Sequence, residues 1–411
     1  MKIAFVTNGV PRLNSSGASD ICYTLAKEFK KKYDVQLHVV SHDFDRFKAN
    51  DENFYSKIYN YSYNNNILSK ILKNPFLIFF PNKLINSSLS LTDAVKKNIY
   101  LDKPNLIFIY HWQPAAPFLD IDIPKIVISG DLLFFPRKVR TFEYKKLGLK
   151  VNFLKFILKF IFYFYCKYYE KKLMIKCINT SDIGGSYGYF DAKWLRENGA
   201  LKSQYFKTPI IDFYPDFNIK KIEVKISKKY KIITGTSNLQ STSTLAGLNF
   251  LDKEILTNLL LLMDEKDFEI HIIGKGNISS DFKNILSCKS VFIRGFVEDL
   301  KAEYESSHLV LIPTNVFLGY RTRVLTAFSY SACVVAHSND AINQPEMIHK
   351  ENCLIANDGL GIAENIFLAL NDDNLRKKIK IKARETYLKN FHPKVAMPKI
   401  FKSINAAVKK S

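Results

Sequence analysis

Short apolar segments of β type alternate with segments of helical period along most of this chain. Strands separated by helices pair in parallel and need both faces of their sheet covered, so the alternation narrows the fold to the α/β class. In the first half, strands are expected at residues 3–7, 35–41, 105–111, 125–129 and 174–179. Ser16-Gly17-Ala18-Ser19 opens a helix whose apolar positions Ile21, Cys22, Leu25, Ala26 and Phe29 keep the helical period. Residues 43–90, rich in Asn, Tyr and Lys, read as long loops with short helices. A lysine-rich connector at 218–229 ends this block. A second alternation follows, with strands at 231–234, 269–273, 290–293, 309–312 and 333–336 and helices near 363–370, 373–387 and 391–408.

A chain of 411 residues exceeds one ordinary core. Two alternating blocks therefore imply two doubly wound, Rossmann-like domains facing a cleft, with ligands taken at the C-terminal ends of the strands. With 47% hydrophobic and 24% charged residues the chain is globular. Its six cysteines make no C-x-x-C, so neither a zinc site nor a disulfide framework is indicated, and a reduced cytoplasmic compartment fits. The first apolar run is short and ends in a polar glycine loop, as a first buried strand does and a signal peptide does not.

The net charge is +21. Twelve of the Lys and Arg residues fall between Arg137 and Lys176, against two Glu. That segment holds an aromatic and aliphatic helix punctuated by Lys155, Lys159 and Lys167, too charged for a comfortable transmembrane span. It suits a helix lying on an anionic membrane; the structural alternative is a core helix with snorkelling lysines. Residues 67–81 form a second apolar-basic stretch of the same kind. The positive charge comes with no nucleic-acid recognition motif, so no nucleic-acid partner is expected.

The densest constellation is Pro313-Thr314-Asn315, then Gly319-Tyr320-Arg321-Thr322-Arg323, then Cys333-Val334-Val335-Ala336-His337, then Gln344-Pro345-Glu346. It reads as strand end, glycine loop with two arginines, helix, strand and acidic loop. A helix N-terminus at Thr322 beside two guanidinium groups suits an anion, a nucleotide diphosphate above all. The alternative for Arg321 and Arg323 is a surface salt bridge to Asp340 or Glu346. His111 and Asp131 stand at strand ends, where an imidazole or carboxylate serves as base or positions a substrate; a lone histidine is more often structural. Ser16 and Gly17 precede a helix and read either as a phosphate loop or as an N-cap. Gly274 permits a tight turn and close approach of a ligand. The histidines and carboxylates show no metal-ligand spacing, so no metal and no cofactor are expected.

Together these residues resemble glycosyltransferases of the GT-B fold, the broad nucleotide-sugar-dependent group 1. The resemblance is carried by Gly235, residues 271–276 and 294–300, Pro313, residues 319–327 and 334–336, Pro345-Glu346 and residues 352–355. It implies an acceptor-binding domain at 1–217, a nucleotide-sugar-binding domain at 218–390, and a final helix within 391–411 that crosses back. It further implies donor diphosphate at Gly319, Arg321, Thr322 and Arg323, donor sugar or nucleotide at Gly235, Gly274 and Glu346, and no metal. The basic-aromatic helix adds a lipid-linked or surface-glycan acceptor and peripheral attachment to the inner face of a membrane. Transfer with retention follows from the resemblance alone. Three departures stand out: where the family carries two glutamates separated by seven residues, this chain has a position near Leu318 and Thr326, neither of them acidic. The usual histidine after an N-domain strand is replaced by Gly130, and the usual Arg and Lys after the first C-domain strand by residues 237–242. A catalytically inactive binding protein, a sugar-nucleotide epimerase and a basic nucleic-acid-binding protein remain the alternatives.

Overall fold

The computed structural model describes residues 1–13, 17–43, 45, 54–63, 90–132, 134–217 and 229–409. Ser16, the apolar-basic stretch at 67–81 and the connector at 218–228 lie outside the described residues.

The chain divides into two compact units: Met1–Phe134 with Ile161–Ile211 and Pro393–Ser411, and Phe135–Phe160 with Asp212–His392. The first carries a seven-stranded sheet in the order β3-β2-β1-β4-β5-β6-β7, and the second a six-stranded sheet in the order β10-β9-β8-β11-β12-β13. Every strand pairing in both is parallel. This is the doubly wound arrangement that the alternation predicts.

In chain order, β1 (Lys2–Thr7), α1 (Gly17–Lys30), β2 (Asp34–Ser41), β3 (Lys57–Ser62), α2 (Thr92–Asp102), β4 (Leu106–Tyr110) and β5 (Lys125–Ser129) form the first block. α3 (Phe134–Phe142), α4 (Phe153–Asn179), β6 (Ile183–Ser186), α5 (Tyr189–Glu197) and β7 (Ser203–Tyr205) follow. Ile3 and Phe5 of β1, Phe29 of α1 and Phe108 of β4 are fully buried. Their rings meet edge to face, with Phe5 and Phe29 centroids 5.6 Å apart and Phe29 and Phe108 5.0 Å apart.

Two expectations for this half need correction. Residues 174–179 are the end of α4, not a strand. Met174, Cys177 and Ile178 are buried at helical spacing, and a short apolar run of this kind is ambiguous until its neighbours are known. The strand is Ile183-Gly184-Gly185-Ser186, a sequence of weak β propensity that tertiary pairing holds between β5 and β7. Gly185 is required there, since a Cβ would sit 2.0 Å from the Gln204 carbonyl oxygen. Within 43–90, expected to hold loops and short helices, the structure has the edge strand β3.

The second block runs β8 (Tyr230–Asn238), α6 (Thr242–Phe250), α7 (Leu256–Leu262), β9 (Phe268–Lys275), α8 (Lys283–Ser287), β10 (Val291–Gly295), α9 (Leu300–Ser306) and β11 (Leu309–Ile312). It continues with α10 (Thr322–Ser329), β12 (Val334–His337), α11 (Ser338–Ala341), β13 (Leu354–Ala356), α12 (Gly359–Asn371), α13 (Asp373–Asn390) and α14 (Pro393–Val408), the last belonging to the first unit. Ile232, Phe268, Ile270, Leu309, Leu311 and Val335 pack with Leu251, Ile362 and Ile366 into one core. These strands are buried on both faces and therefore read as continuous apolar runs.

Candidate functional site

Each sheet reverses its direction of winding at one pair of neighbouring strands, β1 and β4 in the first unit and β8 and β11 in the second. Ligands of doubly wound sheets bind at the C-terminal ends of such a pair. Gly17, His111, Gly235 and the loop 313–321 fall at these two places, and Asp131, Gly274 and Glu346 lie at or after the ends of the neighbouring strands β5, β9 and β12.

In the second unit, β11 leads into the loop 313–321. Gly319 has a φ of +98°, the left-handed region that a side chain disfavours. Arg321 precedes α10, and no side chain caps that helix. The Val324 N–H donates to the Arg321 carbonyl at 3.1 Å, and the helix dipole at this end favours a negative ligand.

Arg321 is only 8% exposed. Its Nε lies 3.2 Å from Oδ1 of Asp340, a fully buried carboxylate on α11. Burial pushes the Asp340 carboxyl up to about 7, against the pull of Arg321 and Arg323. The Thr314 N–H donates to Asp340 Oδ2 at 3.3 Å, and Gln344 Nε2 donates to the Arg321 carbonyl at 3.1 Å. The partner of Arg321 is thus an interior acid, not the surface salt bridge considered from sequence.

Arg323 reaches the other strand of the pair. Its Nη2 donates to Ser243 Oγ at 3.3 Å and to Thr244 Oγ1 at 3.2 Å, in the first turn of the helix that follows β8. Burial, then the Arg321 charge, draws its pKa down to about 10, so it stays cationic at neutral pH. Arg321 thus pairs with Asp340, and the Arg323 charge stands beside that pair. Among the described residues, Arg321 Nη2, Asn315 Oδ1 and Gln344 Oε1 are buried without a hydrogen-bond partner. Buried polar atoms are nearly always satisfied, so these exceptions suit a ligand with an acceptor for the guanidinium and donors, such as hydroxyls, for the two amide oxygens.

The glycines have local causes as well. Gly235 has a φ of +86° at a register shift between β8 and β9, and a Cβ there would sit 2.6 Å from the Ile273 carbonyl oxygen. Gly274 has a φ of +154° at the end of β9. Glu346 is half-buried on the loop after α11, which is fixed by Asn352 Nδ2 donating to the Glu346 carbonyl at 2.7 Å. Where the family carries glutamates, Leu318 is buried in an apolar cluster with Val139, Leu147, Ala246 and Val316. Thr326 bonds through Oγ1 to the Thr322 carbonyl at 3.3 Å, inside the helix.

In the first unit, Gly17 begins α1 after β1, His111 follows β4 and Asp131 follows β5. His111 has a φ of +73°, a strained conformation for a residue with a side chain. Its N–H donates to the Ile128 carbonyl at 2.9 Å, and its ring lies over Gly130. A Cβ on Gly130 would stand 1.9 Å from His111 Nδ1. Gly130, read from sequence as the loss of a histidine, is the space that an imidazole from the neighbouring strand occupies. Ser19, which sequence reasoning passed over, closes the loop before α1: its Oγ donates to the Arg12 carbonyl and accepts the Arg12 N–H, both at 2.8 Å. Ser243 and Thr244 were equally hidden, because their partner Arg323 lies 80 and 79 positions away in sequence; Asp340 was foreseen as a partner of the arginines, but at the surface.

Residues 232–372 match the family model described as Glycosyl transferases group 1. No curated protein matches the sequence. Solved structures share the fold at low identity. A sucrose-phosphate synthase from Thermosynechococcus elongatus has a TM-score of 0.65 at 12% identity, covering 99% of this chain and 100% of that one. A glycosyltransferase from Rickettsia africae ESF-5 has a TM-score of 0.64 at 14% identity, covering 100% and 99%. HepE of Anabaena, in complex with UDP-glucose, has a TM-score of 0.63 at 11% identity, covering 99% and 100%. The family match lies on the unit that holds the paired arginines, and the fold of the chain is that of the solved GT-B glycosyltransferases.

Proposed function

We propose that the second unit binds the nucleotide diphosphate sugar, with the diphosphate on Arg321, Arg323, Gly319 and the N-terminus of α10 at Thr322. Gly235, Gly274 and Glu346 line the sugar and nucleotide end. The first unit receives a lipid-linked or surface-glycan acceptor, near Gly17, with His111 or Asp131 taking the proton of its attacking hydroxyl. The bond from the anomeric carbon to the diphosphate breaks, the diphosphate leaves with the electron pair, and the acceptor oxygen takes its place with retention. The enzyme works in the cytoplasm at the inner face of the membrane.

One observation carries this reading: two guanidinium groups stand beside a single buried carboxylate, paired with Arg321 alone, at the start of a helix without a side-chain cap. Oxyanion stabilisation of a leaving diphosphate needs preorganised positive charge of this kind. A thermal-shift screen with UDP, GDP, CMP and their sugars tests it. One nucleotide diphosphate should raise the melting temperature of the wild-type protein, and the rise should vanish in Arg323→Ala. A full shift in Arg323→Ala would sink the donor assignment.

A further inference from the structure

The first turn of α6 holds two arginines from distant parts of the chain. Ser241-Thr242-Ser243-Thr244 sets four hydroxyls in succession at the start of the helix that follows β8. Ser243 and Thr244 accept from Arg323. Thr242 accepts from a second guanidinium: Arg140 Nε donates to Thr242 Oγ1 at 2.6 Å. That bond uses one of the five N–H groups of the side chain. Among the described residues, Nη1 and Nη2 of Arg140 have no hydrogen-bond or ion-pair partner. Glu143, the one acid within 134–148, is paired with Lys146 at 3.1 Å.

Arg140 lies 102 positions before Thr242, in a stretch of the first half of the sequence that belongs to the second unit. Its neighbours fix it there. Val139 and Leu147 are buried with Ala246 of α6 and with Val316 and Leu318 of the loop before α10. Phe135 meets Phe317 of that loop edge to face, with centroids 4.8 Å apart. Asn249 Nδ2 donates to the Lys145 carbonyl at 3.4 Å. α3 is thus pinned to the helix and the loop that serve Arg321 and Arg323. With its Nε already bonded, the Arg140 side chain has less freedom left to lose when an anion binds. Residues 237–242 are also where the resemblance calls for Arg and Lys, and this chain has neither. We infer that Arg140 supplies the missing charge: its Nη groups bind a phosphate oxygen of the nucleotide diphosphate sugar, alongside Arg323, and hold the diphosphate as it leaves. This rests on the donor reading of the second unit and adds to that site a residue from the first half of the sequence.

Titration calorimetry of the full chain with UDP and with GDP, without acceptor, tests the inference. Arg140→Ala should weaken binding about tenfold, the worth of one charge-assisted contact. Arg140→Lys should recover part of the loss. Thr242→Val should weaken binding less than Arg140→Ala does, and should add nothing to it in the double variant, because the hydroxyl acts only through the guanidinium. Arg140 is exposed, so the melting temperature without nucleotide should match wild type in each of its variants. Wild-type affinity in Arg140→Ala overturns the inference. So does a raised acceptor KM in that variant with nucleotide affinity unchanged, which would put an acceptor phosphate on this arginine. Arg323→Ala separates the two readings. Loss of nucleotide binding in Arg323→Ala with none in Arg140→Ala removes Arg140 and leaves the donor site standing; full binding in both variants removes the donor assignment as well.

Discussion

Arg323 gives its Nη2 protons to two hydroxyls, Ser243 and Thr244, and is not consumed by a carboxylate. Its charge is thus held in place yet still available. Arg323→Ala should raise the donor KM or lower kcat by roughly tenfold or more, the loss of about 1.4 kcal/mol of charge-assisted binding. Steady-state kinetics with the best nucleotide sugar would show it. Asp340 sets a pH dependence at the same site. Its carboxyl is pushed up to about 7, above its ordinary value of 3.8, so the folded protein holds that proton more tightly than the unfolded chain. The stability from this group is complete below the ordinary value and is lost as pH rises through about 7. Donor binding follows the same sign: protonation frees Arg321 from its counter-ion, so affinity for a nucleotide diphosphate sugar should weaken as pH rises through about 7. Titration calorimetry across that range should give a sloping affinity for wild type and a flat one for Asp340→Asn. The sugar ester of the diphosphate keeps the ligand charge constant throughout.

At the scale of elements, the sequence made β1, β4, β5, β11 and β12 plain because each is a buried apolar run, whereas β3, β7 and β13 were not foreseen. It misplaced one strand, since residues 174–179 satisfy both a short strand and the last turns of a helix, while Ile183–Ser186 is a strand only through its neighbours. The loop with Arg321 and Arg323 was legible because glycine, arginine and helix start are adjacent in the chain. The buried Asp340 and the ring of His111 over Gly130 were not, because both depend on which strands lie side by side. Gly130→Ala should push the imidazole off its seat and lower kcat, and overpacking of this kind costs roughly 1–3 kcal/mol. A fall in turnover with little loss of secondary structure would bear this out; unchanged turnover would make His111 a structural residue. Asp358 caps α12 by accepting the Gly361 N–H at 2.8 Å. Asp358→Ala should lower stability by about 1 kcal/mol in denaturant melts and leave donor affinity unchanged.

For the molecule as a whole, the proposed division of labour between the two units comes from the resemblance, not from the order of elements. Each unit has its own sheet, core and switch point, and each places chemistry-bearing residues there. The second unit is closed in part by Arg384, whose Nη1 and Nη2 donate to the two carboxylate oxygens of Asp212, both at 2.7 Å. If that unit alone takes the donor, a nucleotide diphosphate should protect its backbone from hydrogen exchange and leave the first unit as it was. Binding stabilises only what contacts or encloses the ligand, by about 2.7 kcal/mol when the ligand stands at a hundredfold excess over Kd. Protection should concentrate at 235–244 and 313–324, where β8 and β11 end and the arginines sit, with β1 and the start of α1 unchanged. Protection of residues 7–20 in place of these segments would move the donor site to the first unit and reverse the assignment of the two halves.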